Sequence, residues 1–275
     1  MTTHTITISA GSIHRLPTNK QVDITVNEFG SGHSFLLLHG GAGPLSMMGF
    51  AQKLAASKNA HVFVPFHPGF GGTPRPDWLN SIGALAETYI ALIEQLDLRD
   101  VTVIGGSIGG WIAAEMALLS STRINQFILI DPVGIEVEGQ SVVDIFSLTV
   151  DEIMQLSYYA PAAFRRDPAT LSDAEKQGMA ANRQALAVYS GQPTKTDPTL
   201  GKRLGAVTVP TLVLWGDSDG IVTPEYGRAY AAAIPTARFE LLSNTGHMPQ
   251  IETPDQVLAA IQNFVNAQAT KSPNT

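Results

Sequence analysis

The run Val101-Thr102-Val103-Ile104-Gly105-Gly106-Ser107-Ile108-Gly109-Gly110-Trp111-Ile112-Ala113-Ala114 passes from apolar, β-branched residues through a glycine-rich turn into a helix-forming segment. It reads as strand, tight turn, helix, with Ser107 at the apex. The form Gly-x-Ser-x-Gly is that of a nucleophile elbow, which lifts a serine hydroxyl clear of its neighbours at the end of a sheet strand. Glycines two residues before and two after the serine are required where a Cβ would collide as strand and helix converge. Serine is a weak nucleophile at its own pKa, so the elbow gains chemical meaning only with a base and an acid elsewhere in the chain.

Outward from the elbow, short apolar runs alternate with amphipathic segments, which predicts a mostly parallel sheet wrapped by helices. Thr5–Ser9 and Val22–Phe29 read as an opening antiparallel pair. Buried strands follow at Phe35–Leu38, Val62–Pro65, Val101–Ile104, Phe127–Ile130, Thr211–Trp215 and Arg238–Leu242. Ile82, Leu85, Ala86, Tyr89, Ile93 and Leu96 share one helical face. Thr253-Pro254-Asp255-Gln256 predicts a capped final helix, with Gln256 closing a capping box.

Between Pro132 and Gly205 no strand is legible, while Thr149-Val150-Asp151-Glu152 and Ser172-Asp173-Ala174-Glu175 each announce a helix start. Roughly 70 strandless residues far exceed an ordinary loop. The expected organisation is therefore core 1–132, helical lid insertion 133–205, core 206–267 and a disordered polar tail 268–275. An ordinary long crossover is the plainer alternative to the lid.

Composition narrows the function. The 275 residues carry 24 acidic against 17 basic side chains, net −7, with no basic cluster, which argues against nucleic acid or an anionic membrane as partner. No cysteine is present, so disulfides, thiolate catalysis and cysteine metal sites are excluded. The N-terminus lacks a basic start and an apolar core, and the apolar runs are short for a membrane span. A cytoplasmic protein acting on a small molecule is expected, and its oligomeric state is left open.

The last two strands each end in a chemically suggestive cluster. Gly216-Asp217-Ser218-Asp219-Gly220 follows one, and Thr245-Gly246-His247-Met248-Pro249 follows the other. With Ser107 this gives a serine, an acid and a histidine in that chain order, each after a strand. His39-Gly40-Gly41-Ala42-Gly43-Pro44, His67-Pro68-Gly69-Phe70-Gly71, the elbow, Trp215-Gly216-Asp217-Ser218-Asp219 and Gly246-His247-Met248-Pro249 together resemble the α/β-hydrolase superfamily from about Val22 to Val265. The resemblance implies an eight-stranded α/β-hydrolase fold and no cofactor. It implies Ser107 as nucleophile, His247 as base and Asp219 as the acid orienting it. The implied oxyanion donors are the N–H groups of Gly41 and Ile108. Many relatives have an aspartate before the Pro-Gly-x-Gly segment, where this chain has Phe66 and His67.

Each assignment has a rival. Asp217 stands two residues before Asp219 and reads as a loop cap. Asp131 ends the sixth core strand, where some members of this fold keep their acid, although Asp131-Pro132 is also an ordinary turn. His39 is expected to orient the oxyanion loop and His67 to be structural, and no histidine set has metal-ligand spacing. Phe146, Ile153, Met154, Leu156, Tyr158 and Tyr159 suggest an apolar pocket roof or a stripe that packs the lid down.

The favoured activity is hydrolysis of a small, largely apolar carboxylic ester through an acyl-enzyme. Carbon–carbon cleavage of dienoic diketones and aminopeptidase-like hydrolysis are alternatives on the same fold, and no acidic pair in the insertion marks an amino-terminus site. A catalytically silent receptor on this fold is a third possibility. A dinucleotide oxidoreductase, with Gly105 and Gly110 cradling phosphate and Asp131 on a ribose, fits less well. Ser107 takes the middle glycine's place, and the loops carrying Asp219 and His247 would go unexplained.

Overall fold

The buried apolar runs assemble into one sheet. The computed structural model describes residues 1–9, 20–57, 59–191 and 196–269. Its strands are β1 (Thr2–Ser9), β2 (Gln21–Gly30), β3 (His33–Leu38), β4 (Ala60–Pro65), β5 (Val101–Gly106), β6 (Ile124–Ile130), β7 (Thr211–Gly216) and β8 (Ala237–Leu242). They are ordered β1-β2-β4-β3-β5-β6-β7-β8. β1 and β2 pair antiparallel, as do β2 and β4, and every later pairing is parallel.

Strands buried on both faces cannot alternate polar with apolar, so their residues divide between two cores. Leu36, Leu38, Val103, Leu129 and Val213 pack on one face with α2 (Ile82–Gln95) and α3 (Ile108–Leu118). Leu37, Ile104, Ile128, Leu212 and Leu214 pack on the other, where Phe50 of α1 (Leu45–Ala55) and Ile261 and Phe264 of the last helix lie. Parallel order with helices on both faces places the loops after β3, β5, β7 and β8 at one edge, the carboxyl ends of the strands.

The segment between β6 and β7 carries α4 (Val150–Ser157), α5 (Pro161–Phe164), α6 (Asp173–Ser190) and α7 (Leu200–Arg203). Among its described residues the only β-bridge is Val137 with Gln140. Both expected capping boxes form, Thr149 with Glu152 and Ser172 with Glu175. Several contacts fasten this insertion over the loop edge. Gly220 N–H donates to Leu156 O at 2.9 Å, and Val143 N–H donates to Ile221 O at 3.0 Å. On α6, Asn182 donates to Ala42 O at 2.9 Å and accepts from Gly71 N–H at 2.7 Å, bridging the loops after β3 and β4. At the far end Arg203 grips Glu115 of α3 with two nitrogens, at 2.8 and 2.6 Å, and Asp197 at 2.6 Å.

After β7 come α8 (Pro224–Ala232), α9 (Pro249–Glu252) and α10 (Pro254–Ala269). Two terminal expectations are corrected. Gln256 does not close a box onto Thr253. Its amide accepts Ser243 N–H at 3.2 Å and donates to Ser243 O at 3.0 Å, because the chain leaving β8 passes beside the helix. The helix runs on to Ala269, so residues 268 and 269, expected in the tail, are helical, and 270–275 lie outside the described residues. No helix among the described residues is long and apolar enough to cross a membrane.

Two buried histidines fix the loop after β3. His67 Nε2 reaches His39 O at 2.9 Å, and a carbonyl can only accept, so that nitrogen carries the proton. His67 Nδ1 then accepts from Tyr89 Oη at 2.5 Å. His39 Nε2 accepts His67 N–H at 3.1 Å, which leaves Nδ1–H to donate to Gly40 O at 2.8 Å. Gly43 N–H also donates to Gly40 O, at 3.0 Å. The peptide is planar and trans, so anchoring Gly40 O turns Gly41 N–H the opposite way.

Both imidazoles are fully buried, and burial pushes His67 down to about 4. Burial, then the neighbouring His67, holds His39 well below the ordinary histidine value. Below pH ~6.5 an unfolded histidine takes up a proton that folded His67 refuses, so stability is lost as pH falls toward the folded value. Thermal denaturation should show Tm dropping between about pH 6.5 and pH 4, as His67 removes ~1.4 kcal/mol of stability per pH unit. His67→Gln should lower Tm at neutral pH and flatten that slope; an unchanged slope would remove His67 from the account.

Candidate active site

The β5–α3 turn forms the elbow, and its geometry explains its glycines. Ser107 has φ 54° and ψ −118°, an unfavourable conformation for a side chain and one that the surrounding structure must enforce. A Cβ on Gly105 would lie 2.2 Å from Gly109 O, and one on Gly109 would lie 2.2 Å from Leu38 O. The helix start therefore presses against both its own strand and the end of β3. Ile108 is the first residue of α3, and its N–H belongs to the first turn, where no intrahelical carbonyl can accept it.

The loops after β7 and β8 bring two further side chains to Ser107. His247 Nε2 lies 3.0 Å from Ser107 Oγ, and His247 Nδ1 lies 2.7 Å from Asp219 Oδ2. Asp219 Oδ1 accepts the N–H groups of Ile221 at 2.8 Å and Val222 at 3.0 Å, a turn that fixes the carboxylate from behind. Gly216, at the end of β7, allows this crossing, since a Cβ there would meet Gly246 O at 2.2 Å. Glu252 accepts Gly246 N–H at 2.7 Å, Tyr159 N–H at 3.1 Å and Ala160 N–H at 2.9 Å, joining the histidine loop to the insertion.

The rival acids sit differently. Asp217 accepts from Asn244 N–H at 3.1 Å and Thr245 N–H at 3.2 Å, and so braces the β7 and β8 loops against each other. Asp131 is fully buried and takes Gly216 N–H at 2.9 Å. His247 bonds Asp219 and Ser107 rather than Asp131, but one polar atom from each of Asp131, Asp219 and His247 lies within 4.8 Å of the others. Burial, then the charge of Asp219, holds Asp131 well above the usual carboxylate range. Both ring nitrogens of His247 are engaged by Asp219 and Ser107, and Asp131 is too enclosed to offer a ribose its carboxylate.

A cavity of about 460 Å³ opens beside Ser107, lined by Gly41, Ile108 and His247 together with residues of the insertion. Of the apolar stripe read from sequence, Ile153 and Met154 face it, whereas Phe146, Leu156, Tyr158 and Tyr159 are absent from its lining. Tyr158 stacks on Phe164 at 4.8 Å, and Tyr159 is exposed. Val133, Val142, Val143, Ile145, Met179 and Leu186 line the cavity without having been foreseen. Val133, Val142 and Val143 stand in irregular backbone with no periodicity to betray an inward face, and Ile145 opens a single 3-10 turn. Arg183 also borders it, its guanidinium donating to Phe146 O at 2.8 Å and lying 5.3 Å from the Phe146 ring centre.

Comparison with known proteins agrees with this architecture. Residues 35–260 match the model of the alpha/beta hydrolase family. The 2-hydroxymuconate semialdehyde hydrolase of Pseudomonas putida is 25% identical over 266 residues, covering 87% of this chain and 89% of that protein. A thermophilic esterase from Thermogutta terrifontis superposes with a TM-score of 0.75 at 24% identity, over 96% of this chain and 98% of that one. A meta-cleavage product hydrolase from Pseudomonas fluorescens also gives 0.75, at 18% identity over 96% and 98%. With most of its length matched and the eight-stranded sheet in place, the chain belongs to the alpha/beta hydrolase family.

Proposed function

We propose that this protein is a serine hydrolase that cleaves a small, largely apolar carboxylic ester through an acyl-enzyme. The carrying observation is Ser107 Oγ, 3.0 Å from His247 Nε2 and bordering a cavity walled mainly by apolar side chains. In this reading His247 takes the serine proton as Oγ attacks the ester carbonyl, then returns it to the departing alcohol. Asp219 holds the imidazole tautomer and stabilises the imidazolium. The N–H groups of Gly41 and Ile108 receive the developing oxyanion, commonly the largest electrostatic contribution in acyl transfer. Water, activated by the same histidine, then releases the acid. The insertion, fastened over the loop edge by Asn182 and Glu252, serves as a lid that limits water around the acyl group.

Carbon–carbon hydrolysis of a dienoic diketone is the second reading. It is favoured by the likeness to 2-hydroxymuconate semialdehyde hydrolase and by Arg183, a cation among the residues lining the cavity that would pair with a substrate carboxylate on turning from Phe146 O. A panel of short aryl and alkyl esters against dienoic diketones separates the two. The ester reading expects the larger kcat/KM on esters, with apolar acyl groups preferred. If Arg183→Met lowers kcat/KM only for carboxylate-bearing diketones, and these are the better substrates, the second reading replaces the first.

Ser107→Ala should fold normally and lose ~10³-fold or more of turnover. Asp219→Asn should lose ~10³–10⁴ in kcat, because the amide favours the wrong imidazole tautomer. For the unmodified protein, kcat/KM should decline on the acid side as the imidazole protonates. Near-normal turnover by a clean Ser107→Ala preparation would end the serine mechanism.

A further inference from the structure

Asp131 is a buried carboxyl group that the proposed mechanism does not use. It follows β6 directly with φ 44°, a left-handed conformation that an aspartate adopts only at some cost. Its Oδ1 accepts Gly216 N–H at 2.9 Å. Its Oδ2 is buried and receives no donor. A buried carboxylate oxygen left in that condition is strongly disfavoured, and here it stands beside a second carboxylate. The titratable groups that face it are Asp219, from the loop after β7, and His247, from the loop after β8. Among the described residues no lysine or arginine offsets its charge.

Asp219 has a vacancy that matches. A carboxylate offers about four lone-pair sites. Ile221 and Val222 take those of Oδ1, and His247 Nδ1–H takes one on Oδ2. One acceptor position on Oδ2 stays open, a carboxylate oxygen of Asp131 lies within 4.8 Å of one of Asp219, and Asp131 Oδ2 is the oxygen without a donor. Two unsatisfied acceptors become one satisfied hydrogen bond if a single proton lies between them.

We propose that Asp131 is kept as a neutral carboxylic acid whose O–H donates to Asp219, so that the carboxylate holding His247 is fixed by donors at every lone pair. The proton resides on Asp131 Oδ2, its carbonyl oxygen Oδ1 accepts from Gly216, and the pair carries one negative charge. Asp131 touches no substrate and is a positioning residue: it sets the plane and the charge of Asp219, and through them the imidazole. Burial and the negative charge of Asp219 both favour the protonated form. The positioning role rests on the serine-hydrolase reading, whereas the protonation of Asp131 does not.

The test uses two variants and a spectroscopic readout. Asp131→Asn keeps shape, donor and acceptor but cannot ionise; Asp131→Leu keeps bulk and loses the donor. With an aryl ester, Leu should lower kcat ~10-fold or more at nearly constant KM, and Asn should rescue most of that loss. The acid limb of kcat/KM should sit at the same pH in Asn and the unmodified protein, within ~0.3 unit, because neither bears a charge at this position. A displacement of the limb to lower pH by about a unit or more in Asn would show that an ionised Asp131 had been raising the imidazole, and would overturn the proposal. Infrared difference spectra of the unmodified protein minus Asp131→Asn at neutral pH should contain the C=O stretch of a protonated carboxylic acid, and a carboxylate pair of bands there would overturn it as well. If the Leu variant fails to fold, the Asn profile and the infrared band decide. Equal kcat in folded Leu and unmodified protein would remove the positioning role. Survival of turnover in Ser107→Ala would instead sink the hydrolase reading and leave the infrared result standing.

Discussion

Everything at the carboxyl edge of the sheet depends on how closely α3 approaches β3 and β5. Gly105 and Gly109 lie against backbone atoms at distances that admit no side chain, and Ser107 is held between them at positive φ. That approach places the serine hydroxyl and the first N–H of α3 at one point in space. A longer turn would relax the serine but would also withdraw the helix N-terminus. Strain at one residue is thus the consequence of placing a hydroxyl and a backbone donor together, and the packed strands on either side of β5 supply the stability that maintains it.

The remaining groups come from loops that share no strand, so their relative positions must be set by contacts between loops. Polar side chains make these contacts. His67 and His39 tie the loop after β4 to the loop after β3. Asp217 ties the β7 loop to the β8 loop, and Glu252 ties the β8 loop to the insertion. In each case a side chain binds backbone, which fixes chain position independently of the rotamers around it. His39 and His67 are buried, and such groups are costly when left unpaired, so loss of one partner there disturbs geometry and stability together.

Much of this was legible from residues alone, and the limit has a physical basis. The five parallel strands β3 to β7 stand out because burial on both faces demands continuous apolar runs, as in Leu36–Leu38 or Leu212–Trp215, whereas β8, read as buried, is an edge strand in which Leu242 alone is buried. Exposed β1 was recognised by alternation, but its first residues, Thr2–His4, carry no apolar member to mark the start. The order of Ser107, Asp219 and His247 after strands could be read because chain order and parallel topology together put them at one edge. Spatial neighbours that arise only from strand order were hidden. Asp131 meets Asp219 because β6 lies beside β7, and Gln256 meets Ser243 because α10 returns past the end of β8. Cavity walls from Val133 to Val143 were hidden for another reason: irregular backbone has no period from which an inward face can be inferred.

The electrostatics of the site follow from the same crowding. The edge that gathers the loops bearing Ser107 and His247 also gathers negative groups, since Asp131 and Asp219 follow adjacent parallel strands and both are shielded from water. A single buried carboxylate next to an imidazole can be satisfied by backbone N–H groups, and Ile221 and Val222 do this for Asp219. A second has few donors left, because the neighbouring β7 backbone offers it only Gly216 N–H. The sheet can therefore accommodate one full negative charge at this point and not two. Which strand carries it is decided by backbone geometry: the turn after β7 presents two N–H groups to its acid, and the turn after β6 presents none that reaches Asp131 Oδ2. The difference in donor supply between two adjacent turns is what separates the ionised acid from its neighbour.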